Sequence, residues 1–293
     1  MLPKAKFVGL LSFKSEGPIH VGKAREGNVL YALRLPDGRL LIPASTWKGV
    51  FRALAERLAL TMPMDGLEKL AVEMVMPAQR QEEAAERVGR ERDLVDEFQA
   101  ALEKRSSRVF DPADVEEKLL SLGYSTDPSL IESLELALVH YLCLYCPVGK
   151  LFGNWARAGA IRFFDTALAS GTQRRPGVGI SREMGTVQEN ALFCVETSEA
   201  GLGIPLALAG EVEGRGSTPA KLLASMLEAV GRVGLSVGGR KSVGLGLLSL
   251  QEARFHAFEI GEGQDESGAL LANPLKTPPM SLVEFLAWLR AQA

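Results

Sequence analysis

Hydrophobic and polar positions follow two different periods along the chain, and turn residues stand where one period gives way to the other. Phe7 to Phe13 (FVGLLSF) reads as a first strand, closed by the turn residues Ser15-Glu16-Gly17-Pro18. A loop is then expected to about Asn28. Val29 to Leu35 and Arg39 to Ile42 flank Pro36-Asp37-Gly38, whose fixed φ at proline and permissive glycine predict a hairpin turn. From Trp47 the period becomes helical. Trp47, Val50, Phe51, Leu54 and Leu58 share one face, Pro43 stops the preceding strand, and Ser45 or Thr46 is available as a cap. Lys48 and Arg52 stand one turn apart on a different face.

Between about Met62 and Asp127 charges of both signs crowd Arg80 to Arg105 and β-branched residues become scarce, which predicts a helical insertion with a solvated charged face. Asp111-Pro112 and Asp127-Pro128 each read as a cap followed by proline at the first helical position, the second helix running to about Tyr145. Strand patterning returns at Ile161 to Ala167, across a long hairpin from Val178 to Glu196, and at Ile204 to Val212. Ser217 or Thr218 with Pro219 opens a helix whose stripe is Leu222, Leu223, Met226, Leu227 and Val230. Gly234 to Leu250 (GLSVGGRKSVGLGLLSL) leads into a final strand. Glu259 to Glu266 reads as an acidic linker, and Ser281 to Ala293 as a terminal helix.

The chain has 293 residues, 46% hydrophobic and 24% charged, which excludes wholesale disorder and allows one large domain or two ordinary ones. Its net charge of -3 rules out a uniformly basic nucleic-acid binder, so any anion site must be a local patch. Three cysteines cannot all pair internally, and no secretory leader is evident, so a reducing, cytoplasmic setting is expected. The longest apolar run, Leu136 to Cys146, is too short to span a bilayer.

Three segments imitate enzyme motifs. Gly17 to Ala24 has phosphate-loop spacing, but Ala24 stands where a magnesium-binding hydroxyl belongs and no helix is predicted after Lys23. Gly234-Leu-Ser236-Val-Gly238 has the spacing of a nucleophile elbow with helix and strand in the wrong order, and no histidine follows Asp265. Gly244-Leu-Gly246 lacks the rest of a dinucleotide fingerprint and reads better as close backbone approach. More informative is Gly238-Gly239-Arg240-Lys241-Ser242, which puts permissive backbone, two cations and a hydroxyl in one loop. It suits a phosphodiester chain or a structural turn equally. The helix start at Ser45 to Arg52 offers a second anion site, from unpaired amides with Lys48 and Arg52 nearby.

Four segments in order carry a resemblance: Gly17-Pro-Ile-His-Val-Gly22; Ile42-Pro-Ala-Ser-Thr-Trp-Lys-Gly-Val-Phe-Arg52; Cys146-Pro-Val-Gly-Lys-Leu-Phe-Gly153 with Ile161-Arg-Phe-Phe-Asp165; and Gly238-Gly-Arg-Lys-Ser-Val-Gly-Leu-Gly246. Over residues 5–61 and 140–252 the chain resembles the RAMP superfamily, RNA-binding proteins that build CRISPR effector ribonucleoproteins for antiviral defence. It is most similar to backbone subunits of type III effectors. The resemblance implies an α+β fold with a ferredoxin-like, RNA-recognition-type core at 1–61 and 140–260. It also implies a helical insertion at 62–139, a protruding β-hairpin thumb, a C-terminal glycine-rich loop, and a linker with terminal helix at 261–293. Implied partners are guide RNA, complementary target RNA and other effector subunits, with no membrane.

Carried over by position, Lys48, Arg52 and the loop holding Gly238, Gly239, Arg240, Lys241, Ser242, Gly244 and Gly246 would grip the guide backbone. Arg182 and Met184 would belong to a thumb wedged between guide and target bases, with Arg174 and Arg175 on phosphates before it. Two departures stand out. Relatives that cut target RNA carry an aspartate in the loop after the first strand, whereas His20 to Asn28 offers only Glu26 as an acid, with Lys23 and Arg25 as phosphate ligands. Some relatives also hold zinc, and here His140, Cys143 and Cys146 are candidate ligands with no fourth; buried apolar use is the competing reading. The expectation is a guide-holding subunit without target cleavage. One alternative is a metal-independent endoribonuclease that processes guide precursors, with His20 as general acid or base. Another is a protein adaptor within the effector complex.

Overall fold

A computed structural model describes residues 4–64, 66–181, 183–260 and 273–291. The chain runs β1 (Lys4–Ser15), β2 (Gly22–Glu26), β3 (Val29–Ala32), β4 (Leu40–Ile42) and α1 (Ala44–Ala59). Helices follow as α2 (Gly66–Met74), α3 (Gln81–Arg90), α4 (Arg92–Leu102), α5 (Pro112–Ser121) and α6 (Leu134–Cys143), and then α7 (Pro147–Phe152). The second half is β5 (Ile161–Phe163), β6 (Thr166–Leu168), β7 (Thr172–Ile180), β8 (Val187–Ser198), β9 (Gly203–Val212), α8 (Thr218–Val233), β10 (Leu235–Ser236), β11 (Leu247–Ile260), β12 (Met280–Ser281) and α9 (Leu282–Arg290).

The architecture is α+β. An antiparallel sheet in the order β10-β11-β1-β9-β5 forms its centre, with β12 paired to β11. β1 is flanked on both sides, and its alternation buries Ala5, Phe7, Leu11 and Phe13 beneath helices while Leu10 faces outward. Trp47 and Phe51 of α1 and the whole predicted stripe of α8 are buried against this face. Phe13 stacks on Trp47, and Phe285 of α9 stacks on Phe255 at 4.1 Å between ring centres. Ser217 caps α8 and Gly234 ends it with φ +72°, a conformation open to glycine without a Cβ penalty. Ser281 and Glu284 form a reciprocal capping box on α9. Among the described residues no helix is long and apolar enough to cross a membrane.

Several elements differ from the sequence-based expectation. The loop expected to Asn28 contains β2, which pairs with β3 as an exposed hairpin because residues 22–32 find partners in each other and β3 runs parallel to β8. The strand expected over Ile161 to Ala167 breaks at Phe164-Asp165 into β5, which joins the central sheet, and β6, which pairs with β4. The β7–β8 hairpin is longer than expected, Arg174 and Arg175 lying within β7. Pro128 opens only a single 3-10 turn; Ile131 is extended, and α6 starts instead where Ser133 accepts from the Leu136 amide. β11 continues to Ile260, past the expected linker start, where Glu259 pairs with Arg215. Residues 261–266 of the expected acidic linker lie outside the described residues.

Candidate nucleic-acid interface

The segment Gly17 to Gly22 is the hub of the candidate site. On one side it meets the glycine-rich loop: the Gly239 amide donates to His20 O at 2.8 Å and the Gly246 amide to Pro18 O at 2.9 Å. Gly238 has φ +84°, and a Cβ there would lie 2.2 Å from His20 O; Gly246 has φ +79°, and its Cβ would lie 1.9 Å from Val237 O. These two glycines are therefore required by the chain's own backbone. Gly239 and Gly244 are not crowded in this way; Gly244 and Ser242 stand in open solvent with Lys241.

On its other side the hub meets the root of β8. The Ile19 amide donates to Ser198 Oγ at 2.9 Å. Glu196 accepts from Arg34 Nη2 at 2.7 Å and from the Ala32 amide at 3.0 Å. Burial raises the Glu196 pKa, but the Arg34 and Ala32 hydrogen bonds and the Arg34 charge outweigh it and hold the carboxyl below its ordinary range. His20 is buried, and its Nδ1 lies 2.7 Å from Glu196 O. A carbonyl oxygen can only accept, so Nδ1 carries a proton and, in the neutral ring, Nε2 is left with its lone pair. That nitrogen faces Gly22, whose Cβ would stand 3.1 Å away.

Between this hub and α1 runs a cleft of about 820 Å³. Its walls bring together Ser45, Thr46 and Gly49 of α1, Gly22, and Gly238, Gly239 and Lys241 of the glycine-rich loop. Among the described residues Arg57 and Lys241 are its cations, and no carboxylate lines it. The two segments that composition marked as separate anion sites thus share one cleft.

Other expected residues fall elsewhere. The α1 terminus is not capped by Ser45 or Thr46. Asp165, from the break between β5 and β6, accepts from the Ala44 amide at 2.7 Å and occupies part of the helix's positive end. Lys48 and Arg52 line a second cleft on the other side of α1, where Arg52 donates to Glu56 at 2.8 Å and to Gly153 O at 2.9 Å. Arg240 takes a left-handed φ of +57° and lies over the Phe193 ring, 4.3 Å from its centre. Phe193 in turn covers Gly177, so the glycine-rich loop is fastened to the base of the hairpin.

The hairpin displays Val178, Ile180, Val187, Leu192 and Met184 to solvent, Met184 being 74% exposed in the turn. Arg174 and Arg175 are exposed on β7. Arg182 lies outside the described residues, as does the side chain of Lys23. Glu26 ends β2 in an exposed position and lines neither cleft; Arg25 donates to Gly27 O.

The candidate zinc ligands are separately engaged. His140 contacts Tyr124 Oη at 2.7 Å and Gln81 Oε1 at 2.8 Å, which uses both ring nitrogens. Cys146 is the cap of α7, its Sγ accepting from the Gly149 amide at 3.4 Å. Cys143 is buried, and burial pushes its thiol up to about 12. Among the described residues no group of three His, Cys, Asp or Glu side chains is arranged to hold a metal ion. The three-residue spacing seen in the sequence is therefore a poor fit to a zinc site.

No local sequence signal marks Asp165, Arg34, Arg57 or Phe193 for these contacts. Asp165 was visible as the acid ending Ile161-Arg-Phe-Phe-Asp165, but nothing local ties it to a helix 121 residues earlier. The match to the RAMP superfamily covers residues 12–249. No curated protein matches the chain.

Proposed function

The chain belongs to the RAMP superfamily, which implies a CRISPR-associated RNA-binding role, and from that premise we propose that it is a backbone subunit of a type III effector complex. In this reading it holds guide RNA and shapes the guide–target duplex without cutting the target. The observation that carries the proposal is the shared cleft. Among the described residues, exposed glycine backbone, α1 hydroxyls and the Arg57 and Lys241 cations line it without a carboxylate, in a chain of net charge -3. Phosphates need donors and positive charge, and contacts of this kind carry no sequence preference, leaving recognition to base pairing. The path β1-α1-β5-β9-α8-β11 with spatial order β11-β1-β9-β5 supports reading the core as ferredoxin-like. The exposed apolar tip of β7–β8 suits a thumb that parts stacked bases.

The test is to isolate the chain from its native host and analyse what comes with it. Short guide RNA and other effector subunits in defined stoichiometry are the expected result. Isolation without RNA or effector subunits overturns the proposal. With guide, magnesium and target, the assembly is expected to leave target intact at this subunit's position; cutting abolished by Glu26→Ala would make this an active nuclease subunit.

One observation favours a second reading, the precursor-processing endoribonuclease. His20 Nε2 keeps a lone pair beside Gly22, a residue of the cleft wall, which suits a general base toward a 2′-hydroxyl. Single-turnover incubation with labelled precursor separates the two. Cleavage lost in His20→Ala supports the enzyme, and an uncut precursor supports the scaffold.

A further inference from the structure

Two clefts flank α1, and the larger has no role in the reading above. It encloses about 1010 Å³ between α1, residues 75–79 at the end of α2, and the 153–159 loop. Among the described residues Lys48, Arg52, Arg57 and Arg157 line it against a single carboxylate, Glu56. Arg52 is paired with Glu56, and Arg157 donates to Glu213 at 3.0 Å. Lys48 and Arg57 have no carboxylate partner among the described residues, Arg57 donating only to Ala53 O in its own helix.

The same cleft contains an indole with nothing to stack on. Trp47 is fully buried, and Trp288 stacks on Phe285 beneath Arg215. Trp155 is 38% exposed in the cleft wall, and among the described residues no ring or cation lies against it. A large exposed aromatic beside unpaired cations suits single-stranded nucleic acid, whose bases need a flat apolar partner and whose phosphates need charge. The two clefts also share a wall: Ala53 and Arg57, both exposed on α1, line each of them.

We propose that this cleft seats a second stretch of the same single-stranded RNA, crossing α1 at Arg57 and stacking a base on Trp155, with Lys48 and Arg57 on its phosphates. The proposal rests on the RNA-binding reading and extends its track beyond the glycine-rich loop. A strand long enough to occupy both clefts gains the stacking contact; a strand that fills only the first does not.

The test measures the affinity of the full chain for oligouridylates of about 4 and about 12 nucleotides, a short and a longer length within the range of single-strand site sizes. Trp155→Ala is expected to weaken the longer oligomer by roughly 5- to 150-fold, as loss of one base-stacking aromatic does, and to leave the shorter one unchanged. Trp155→Phe restores most of the loss, and an unchanged melting temperature in both variants shows that the exposed loop still folds. Normal binding of both oligomers by Trp155→Ala overturns this inference alone, leaves the first cleft standing, and assigns the indole to a protein contact. Failure of the wild type to bind either oligomer overturns the RNA-binding reading and this inference with it.

Discussion

The glycine-rich loop and the β7–β8 hairpin are both expected to touch RNA, yet they are held in opposite ways. The loop is fixed by backbone contact: Gly238 and Gly246 leave no room for a side chain, and the Gly239 and Gly246 amides donate to the carbonyls of His20 and Pro18. Among the described residues the tip of the hairpin is held by its own pairing, with Val178, Ile180, Val187 and Met184 facing solvent. The first arrangement presents a rigid surface to a chain of phosphates, where small displacements lose hydrogen bonds. The second presents apolar side chains that gain contacts only when a partner covers them. Glu196 marks where one regime passes into the other, because it ties β8 to Ala32, Arg34 and His20.

This contrast predicts a gradient of sensitivity. Gly246→Ala combines a left-handed φ with a Cβ 1.9 Å from Val237 O. It is expected to destabilise the fold by about 3 kcal/mol or more, read by denaturant unfolding. A melting temperature equal to wild type would show that the loop is not held by close approach.

Next is Glu196→Gln, which removes the charge facing Arg34 and weakens the hydrogen bonds at the hairpin root, for an expected loss of about 1–3 kcal/mol at neutral pH. Because the Glu196 pKa is lowered in the folded state, its contribution is complete above the ordinary glutamate value of about 4.3. It fades as pH falls through the lower folded value. The variant is therefore expected to lose part of the wild-type decline on the acid side; identical acid-side curves would remove Glu196 from the account.

Among the cations, Lys48 and Lys241 line the two clefts without a carboxylate partner among the described residues, whereas Arg52 ties α1 to Gly153. Lys48→Ala with Lys241→Ala is expected to make the salt dependence of RNA binding shallower by about 1.4 in log–log slope while leaving stability near wild type. Arg52→Ala is expected to lower the melting temperature instead. Equal effects from both variants would abolish the distinction between binding and structural cations.

The smallest expected effect on stability is that of Met184→Ala at the exposed tip, within about 0.5 kcal/mol. Its consequence belongs to binding: weaker engagement of a guide–target duplex with unchanged affinity for the guide strand alone. A large fall in melting temperature would mean that the hairpin tip is packed against something within the chain.

Local chemistry made much of this molecule legible before folding. The buried stripe of α8, Trp47 and Phe51 of α1, the Ser217 cap and the terminal helix follow from hydrophobic period and capping residues, which act within a few positions of one another, whereas Val50, Leu54 and Leu58 of the expected α1 stripe are only half-buried and Ala55 and Ala59 fill the core in their place. The segments Gly17 to Gly22 and Gly238 to Gly246 were recognisable by composition and order. What composition could not say is what those glycines approach. Gly238 and Gly246 meet backbone rather than a ligand: Gly246 meets Val237 of its own loop, whereas Gly238 meets His20, which the pairing of β1 and β11 brings close from more than 200 positions away. The same long-range assembly placed Asp165 on the α1 amide, put Arg52 and Arg240 into internal contacts, and drew Tyr124 and Gln81 onto His140. A side chain's residue type sets what it can bind, but its partner is whatever the tertiary fold brings within hydrogen-bond distance. For the charged and metal-ligating residues here, only the tertiary structure decided which were left free.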